Sequence, residues 1–196
     1  MRQAEISRNT AETQIQVRLN LDGAGQADVQ TDIGFFDHML HHLARHGGFD
    51  LRVNAQGDLH IDGHHTVEDV GICIGRAFSQ ALGEPRGIAR YGHAVPPMDE
   101  TLAEAAVDVS GRPFLHFGAE LPKTAVGGFD AELTEEFFRA FAMNARLTLH
   151  LGLRYGDNVH HCVEALFKAC ARALRGAVAR DAREEGVPST KGQLDI

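Results

Sequence analysis

The sequence predicts an α+β protein made of two tandem duplicated halves, each a small β-sheet covered by helices on one face. Three observations lead there. Two near-identical pentads, His64-His65-Thr66-Val67-Glu68 and His160-His161-Cys162-Val163-Glu164, stand 96 residues apart. Each leads into an apolar-periodic stretch that reads as an amphipathic helix ending in Ala-Leu. The flanking segments also recur in one order: paired strands, a helix near a Phe-Phe pair, a strand, a glycine turn, then the pentad helix. Such an order suits one sheet packed against helices, repeated about a local pseudo-twofold axis. The halves run over 1–86 and 87–184, and 185–196 forms a C-terminal tail.

Taken in order, residues 11–21 alternate, with Thr13, Ile15, Val17, Leu19 and Leu21 on one face, as a half-buried strand requires. Asp22 to Gly25 turn the chain, and 26–31 reads as the hairpin partner of that strand. A helix starts near Gly34-Phe35-Phe36 and stops at Gly47-Gly48. Residues 49–55 alternate again, 56–58 turn, and 59–61 reads as a short strand before the first pentad helix. Pro96-Pro97 forbids a regular central strand at that point. Further strands are predicted at 103–111, 114–120 and 147–154, with helices at 132–145 and from the second pentad to about 177.

Composition narrows the function. The formal charge of −8 argues against a nucleic-acid partner. Of 19 basic residues 16 are Arg, the side chain suited to gripping carboxylate or phosphate as a fork. Cys73, Cys162 and Cys170 show no CxxC spacing, and no window is apolar enough to span a membrane. A soluble cytoplasmic protein is expected. Seven of the 12 histidines fall within 38–65, a density that points to metal binding or proton transfer.

On a helix, positions four apart share a face, so His64 and Glu68 can hold one ion together, as can His160 and Glu164. His65 and His161 are displaced by about 100° and point elsewhere, toward a second metal or another subunit. Oxygen and nitrogen donors without thiolate suit Mn, Fe, Zn, Co or Ni. The spacing is not that of HExxH hydrolases. Adjacent histidines at a helix start can also merely cap and hydrate it, but two copies in a duplicated chain weigh against that. His38, after Asp37, reads as a ligand or proton shuttle, whereas His41, His42 and His46 read as solvated. Arg90 and Arg112, each beside glycine at an element end, can reach a cleft. Pro188-Ser189-Thr190-Lys191-Gly192 can cradle a phosphate. Glu12 is either an exposed edge charge or a catalytic carboxylate.

With RNTAET (8–13), FFDHMLHHLARHGGFDL (35–51), DGHHTVEDVGI (62–72), GIARYG (87–92), PMDETL (97–102), DVSGRP (108–113), HHCVEALFKACARAL (160–174) and VPSTKG (187–192), the chain resembles the imidazoleglycerol-phosphate dehydratase family over nearly its full length. The resemblance implies two halves of the ribosomal protein S5 domain 2-like type, two Mn²⁺ per active site, and a homo-oligomer of 24 subunits with sites at subunit interfaces. It implies metal ligands at His38, His64, His65, Glu68, Glu136, His160, His161 and Glu164. Glu136 stands where the family pattern has histidine. The phosphate-binding residues implied are Arg90, Arg112, Ser189 and Lys191, with Glu12 and His38 in the proton transfers and no membrane partner. The substrate's C–H beside its imidazole ring is too weakly acidic for a carboxylate alone, and a metal on the ring nitrogen supports its loss. Two other classes use the same pentads: a metal-storage oligomer, which leaves the arginines idle, and a metal-dependent phosphate-ester hydrolase, which releases phosphate.

Overall fold

The computed structural model describes residues 2–194; Asp195 and Ile196 of the tail lie outside the described residues. The first sheet contains β1 (Gln3–Asn9), β2 (Thr13–Asn20), β3 (Ala27–Gln30) and β4 (Asp50–Gly57) in the order β1-β2-β4-β3. Its helices are α1 (Gly34–Gly47) and α2 (His64–Leu82). The second half has β5 (Tyr91–Ala94), the two-residue β6 (Pro97–Met98), β7 (Thr101–Asp108) and β8 (Phe114–Gly118). A small hairpin of β9 (Ala125–Val126) and β10 (Phe129–Asp130) leads to α3 (Leu133–Ala145), β11 (Thr148–Tyr155) and α4 (Val159–Ala177). Its sheet order is β5-β7-β11-β8.

The duplication extends to hydrogen-bond register. β4 pairs β2 antiparallel and β3 parallel, and β11 pairs β7 antiparallel and β8 parallel. Leu51 faces Leu19 in one half and Leu149 faces Val107 in the other. This register places Glu12-Thr13 and Glu100-Thr101 at equivalent strand starts. The αL caps Gly48 and Arg146 likewise close α1 and α3 at equivalent points, so His38 and Glu136 occupy matching helical positions.

Three sequence expectations are corrected. The hairpin partner of β2 is β1, whose Ile6 faces Val17. Residues 26–31 instead form β3, which crosses over and joins β4 in parallel. The weak alternation of Gln3–Asn9, with no residue of the strand fully buried, hid an edge strand. Residues 59–61 are turn rather than strand, because β4 continues through Gly57 and leaves a short loop to reach the pentad. The Phe-Phe pairs are not equivalents: the matched helix caps align Phe35-Phe36 with Leu133-Thr134.

Both sheets turn their apolar faces to the helices. In β2 Thr13, Ile15, Val17 and Leu19 are buried and Gln14, Gln16 and Arg18 exposed. The helices pair across the halves, α2 against α3 and α1 against α4. Close approach of α2 depends on Gly71 and Gly75, where a Cβ would stand 2.8 Å from the Phe137 carbonyl oxygen and 2.6 Å from that of Phe141. Between the layers, Phe137, Phe138 and Phe167 pack ring to ring and are fully buried, each worth about 1.5–3 kcal/mol. The cross-pairing brings α1 beside the second pentad and α3 beside the first.

Candidate metal centre and anion cleft

The second pentad is fixed by its cap. Asn158 precedes α4, and its side-chain oxygen accepts the backbone N–H groups of His160 at 3.0 Å and His161 at 3.4 Å. His160 and Glu164 therefore fall one turn apart on the face toward α1. There His160 Nε2 lies 3.2 Å from Glu164 Oε2, His38 Nε2 3.3 Å and His42 Nε2 3.2 Å. Lys168 Nζ takes the other oxygen at 2.5 Å. The donor atoms of His38, His160 and Glu164 lie within 4.8 Å of one another, a grouping that can hold a metal ion. Burial pushes the Glu164 carboxyl up, but the Lys168 hydrogen bond, the charge of His42 and the bond from His160 outweigh it and hold it at about 2. Burial takes His42 down to about 4, partly opposed by Glu164. Asp37, in contrast, is committed to structure: its Oδ1 accepts the Thr31 N–H at 2.9 Å and hydroxyl at 2.6 Å.

The second histidine of each pentad diverges from the first, with rings inclined by 84° in both halves. His161 Nδ1 is 2.7 Å from Glu100 Oε2, and that hydrogen bond raises the imidazole and helps hold the Glu100 carboxyl at about 2. His65 Nδ1 is 3.0 Å from Asp58 Oδ2, with the same upward effect on the ring. Glu12 sits at the β1–β2 turn, 55% exposed, with Oε1 3.9 Å from His65 Nε2. Among the described residues His64, Glu68 and Glu136 do not close into a group like that around Glu164.

Arg90, Arg112, Ser189 and Lys191 line one cleft of about 850 Å³, with Tyr91, Ser110 and Thr190. Asp108 holds the Arg90 fork through Nε at 2.8 Å and Nη2 at 3.2 Å, while Nη1 donates to the Pro188 carbonyl at 2.8 Å. The hydrogen bond to Asp108 raises the Arg90 guanidinium further. Arg112 reaches the same carboxylate at 3.6 Å but is 66% exposed, with its charge directed to solvent. The Arg90 N–H donates to the carbonyl of Ala177, the last residue of α4. Thirteen residues separate Ala177 from Glu164, so the cleft and the histidine group lie about 20 Å apart along the helix.

The donor set fits a borderline or hard transition metal: imidazole nitrogen and carboxylate oxygen converge, and thiolate is absent. Cys73, Cys162 and Cys170 are buried away from the group, and burial raises all three thiols, Cys73 to about 11.

The imidazoleglycerol-phosphate dehydratase family model matches residues 31–174. A dehydratase of that name from Acidithiobacillus ferrooxidans is 58% identical over 100% of this chain and 98% of its own. One from Symbiobacterium thermophilum is 62% identical over 98% of this chain and 93% of its own. The chain belongs to the imidazoleglycerol-phosphate dehydratase family. It is thereby a hydro-lyase of histidine biosynthesis. The solved imidazoleglycerol-phosphate dehydratase of Staphylococcus aureus superposes with a TM-score of 0.83 at 43% identity, covering 91% of this chain and 99% of that one. The Pyrococcus furiosus enzyme, solved in complex with (S)-C348, gives 0.82 at 36% identity, covering 96% and 100%.

Within this dehydratase fold, several side chains not singled out in the sequence touch the groups named there. His42 was expected to be solvated, yet its ring is only 18% exposed and faces Glu164. Its spacing of four from His38 was the available signal, as was that of Lys168 from Glu164. Glu100 and Asp108 lie within the stretches PMDETL and DVSGRP but took on a role only through strand register and the cleft, and Asp58 carried no signal.

Proposed function

We propose that this chain converts D-erythro-imidazoleglycerol phosphate to imidazole-acetol phosphate and water, with two Mn²⁺ per active site. The observation that carries the site assignment is the convergence of His38, His160 and Glu164 on one point, with His161 and its Glu100 partner aimed away. His38, His160 and Glu164 are ligands from one face. His64, Glu68 and Glu136 are their counterparts from the first half, and His65 and His161 complete neighbouring centres. A bound metal supplies Lewis acidity to the substrate imidazole, making the adjoining carbon acidic enough to lose its proton.

The chain's own residues do the rest. Glu12, exposed and with its Oε1 3.9 Å from His65 Nε2, beyond hydrogen-bond reach, moves the proton at its carboxylate oxygen, and His38 assists. Arg112, Lys191, Ser189 and the Asp108-held Arg90 bind the phosphate and so orient the polyol chain for the reaction. Phosphate stays on the product because the dehydration breaks a C–H and a C–OH bond and leaves the phosphoester intact.

Assembly follows from distance. The separation of about 20 Å between cleft and histidine group is far longer than the few bonds between ring and phosphate. A phosphate in this cleft and an imidazole at this chain's Glu164 group cannot belong to one substrate, which supports a homo-oligomer with sites at the interfaces, and the family resemblance puts its size at 24 chains. No helix among the described residues is long and apolar enough to cross a membrane. The three free thiols suit a reducing cytoplasm, and the net charge of −8 weighs against a nucleic-acid partner.

The test is an assay for both products with and without added Mn²⁺, beside light scattering of the same samples. A ketone formed with Mn²⁺ and no free phosphate is expected, from a large particle. Phosphate release without ketone defeats the reading.

A further inference from the structure

The two halves differ at one pair of equivalent residues. Strand register makes Glu12 the counterpart of Glu100, since each precedes the buried threonine that opens its strand, Thr13 or Thr101. Their carboxylates are used differently. Glu100 Oε2 meets His161 Nδ1 at 2.7 Å, and Oε1 accepts the Asn158 N–H and the Thr101 hydroxyl, both at 3.0 Å. Glu12 makes no such bond to His65, whose Nδ1 is held by Asp58 at 3.0 and 3.2 Å. Asp58 comes from the β4–α2 loop. Between the strand's end and the first pentad histidine, that loop takes seven steps, from Gly57 to His64, against five from Tyr155 to His160.

An ionised carboxylate only accepts, so in both halves the proton must sit on Nδ1. In the neutral ring, the form that ligates, the lone pair of Nε2 is then free and held in one direction. We infer that Glu100 and Asp58 are positioning residues that present Nε2 of His161 and His65 for ligation, and that the longer β4–α2 loop, by supplying Asp58, releases Glu12 from the task its counterpart performs. Glu12 is available for proton transfer because another carboxylate took over its histidine. This rests on the reading of His65 and His161 as metal ligands.

Mn²⁺ binding, followed through the electron paramagnetic resonance signal of free Mn²⁺, tests it on Glu100→Ala, Glu100→Gln, Asp58→Ala, Asp58→Asn and His161→Ala, with thermal unfolding of each metal-free protein. The alanine variants at 58 and 100 should bind Mn²⁺ about 10–100-fold more weakly. The amide variants, which still accept from Nδ1–H, should recover most of that loss at unchanged metal-free unfolding temperature. Wild-type affinity in Glu100→Ala and Asp58→Ala, with His161→Ala impaired, overturns the positioning role and leaves the ligand reading standing. Equal loss in the alanine and amide variants, tracking a lowered metal-free unfolding temperature, overturns it too, because the carboxylates would then serve only the fold. Wild-type affinity in His161→Ala removes the ligand reading beneath it.

Discussion

The two pentads are alike in sequence and unlike in what surrounds them. Around Glu164, three imidazoles and the Lys168 ammonium converge on a carboxylate that is only 5% exposed, so the charge is compensated within one chain. Around Glu68 no such group closes among the described residues. Ile72 stands where the second half has Lys168, and Glu136 where the first helix carries His38. Two carboxylates without a nearby cation repel rather than gather. The difference teaches that ligand spacing along a helix sets which groups can share an ion, while residues one turn away and on the facing helix decide whether they gather before an ion arrives.

The widest contrast should appear between Glu12 and its counterpart. Glu12→Gln should lower kcat by about 10²–10⁴-fold with Mn²⁺ content unchanged, as loss of a general acid–base group does. Glu100→Gln should cost far less, and steady-state kinetics beside metal analysis compares the two. Equal losses would erase the proposed division of labour.

Stability of the metal-free protein separates the pentads next. Glu164→Gln leaves the Lys168 ammonium without its charged acceptor, a cost of about 2 kcal/mol, or a fall in Tm of about 4–8 °C. Glu68→Gln should leave Tm unchanged. A matching fall in both by calorimetry would mean that the first group is also closed.

Acid should expose the same asymmetry. Glu164 is held at about 2 against an ordinary 4.5, so its contribution is present above 4.5 and lost as pH falls toward 2. His42, lowered to about 4 by burial, contributes above 6.5 and loses that contribution as pH falls from 6.5 to 4. Metal-free Tm should thus decline in two steps on acidification, and His42→Leu should remove the upper one. His65 and His161, raised by their carboxylates, act in the opposite sense: their contribution is present below 6.5 and fades as pH rises above it.

The smallest change sharpens the comparison. Glu136→His gives the first group the imidazole that the second has at position 38. Mn²⁺ should still bind, with its affinity altered only several-fold, because one neutral nitrogen donor replaces one anionic oxygen. Loss of binding in a titration would show that the carboxylate is required there.

Much of this was written in the linear sequence. Period-two alternation in Thr13–Leu21 and Leu147–Leu151 marked strands with one buried face, since the side-chain period of a strand is local. Helical spacing placed His160 beside Glu164, and the pentad repeat announced two equivalent halves. Motif resemblance picked out Arg90, Arg112, Ser189 and Lys191, which line one cleft. Tertiary structure decided the rest. The parallel crossover of β3, the pairing of α1 with α4, the turn of His42 toward Glu164 and the equivalence of Glu12 with Glu100 all depend on contacts between segments distant along the chain. Periodicity reports which face a residue occupies. What it meets there is set by how buried faces pack, and that choice of neighbour separates Glu12 from Glu100.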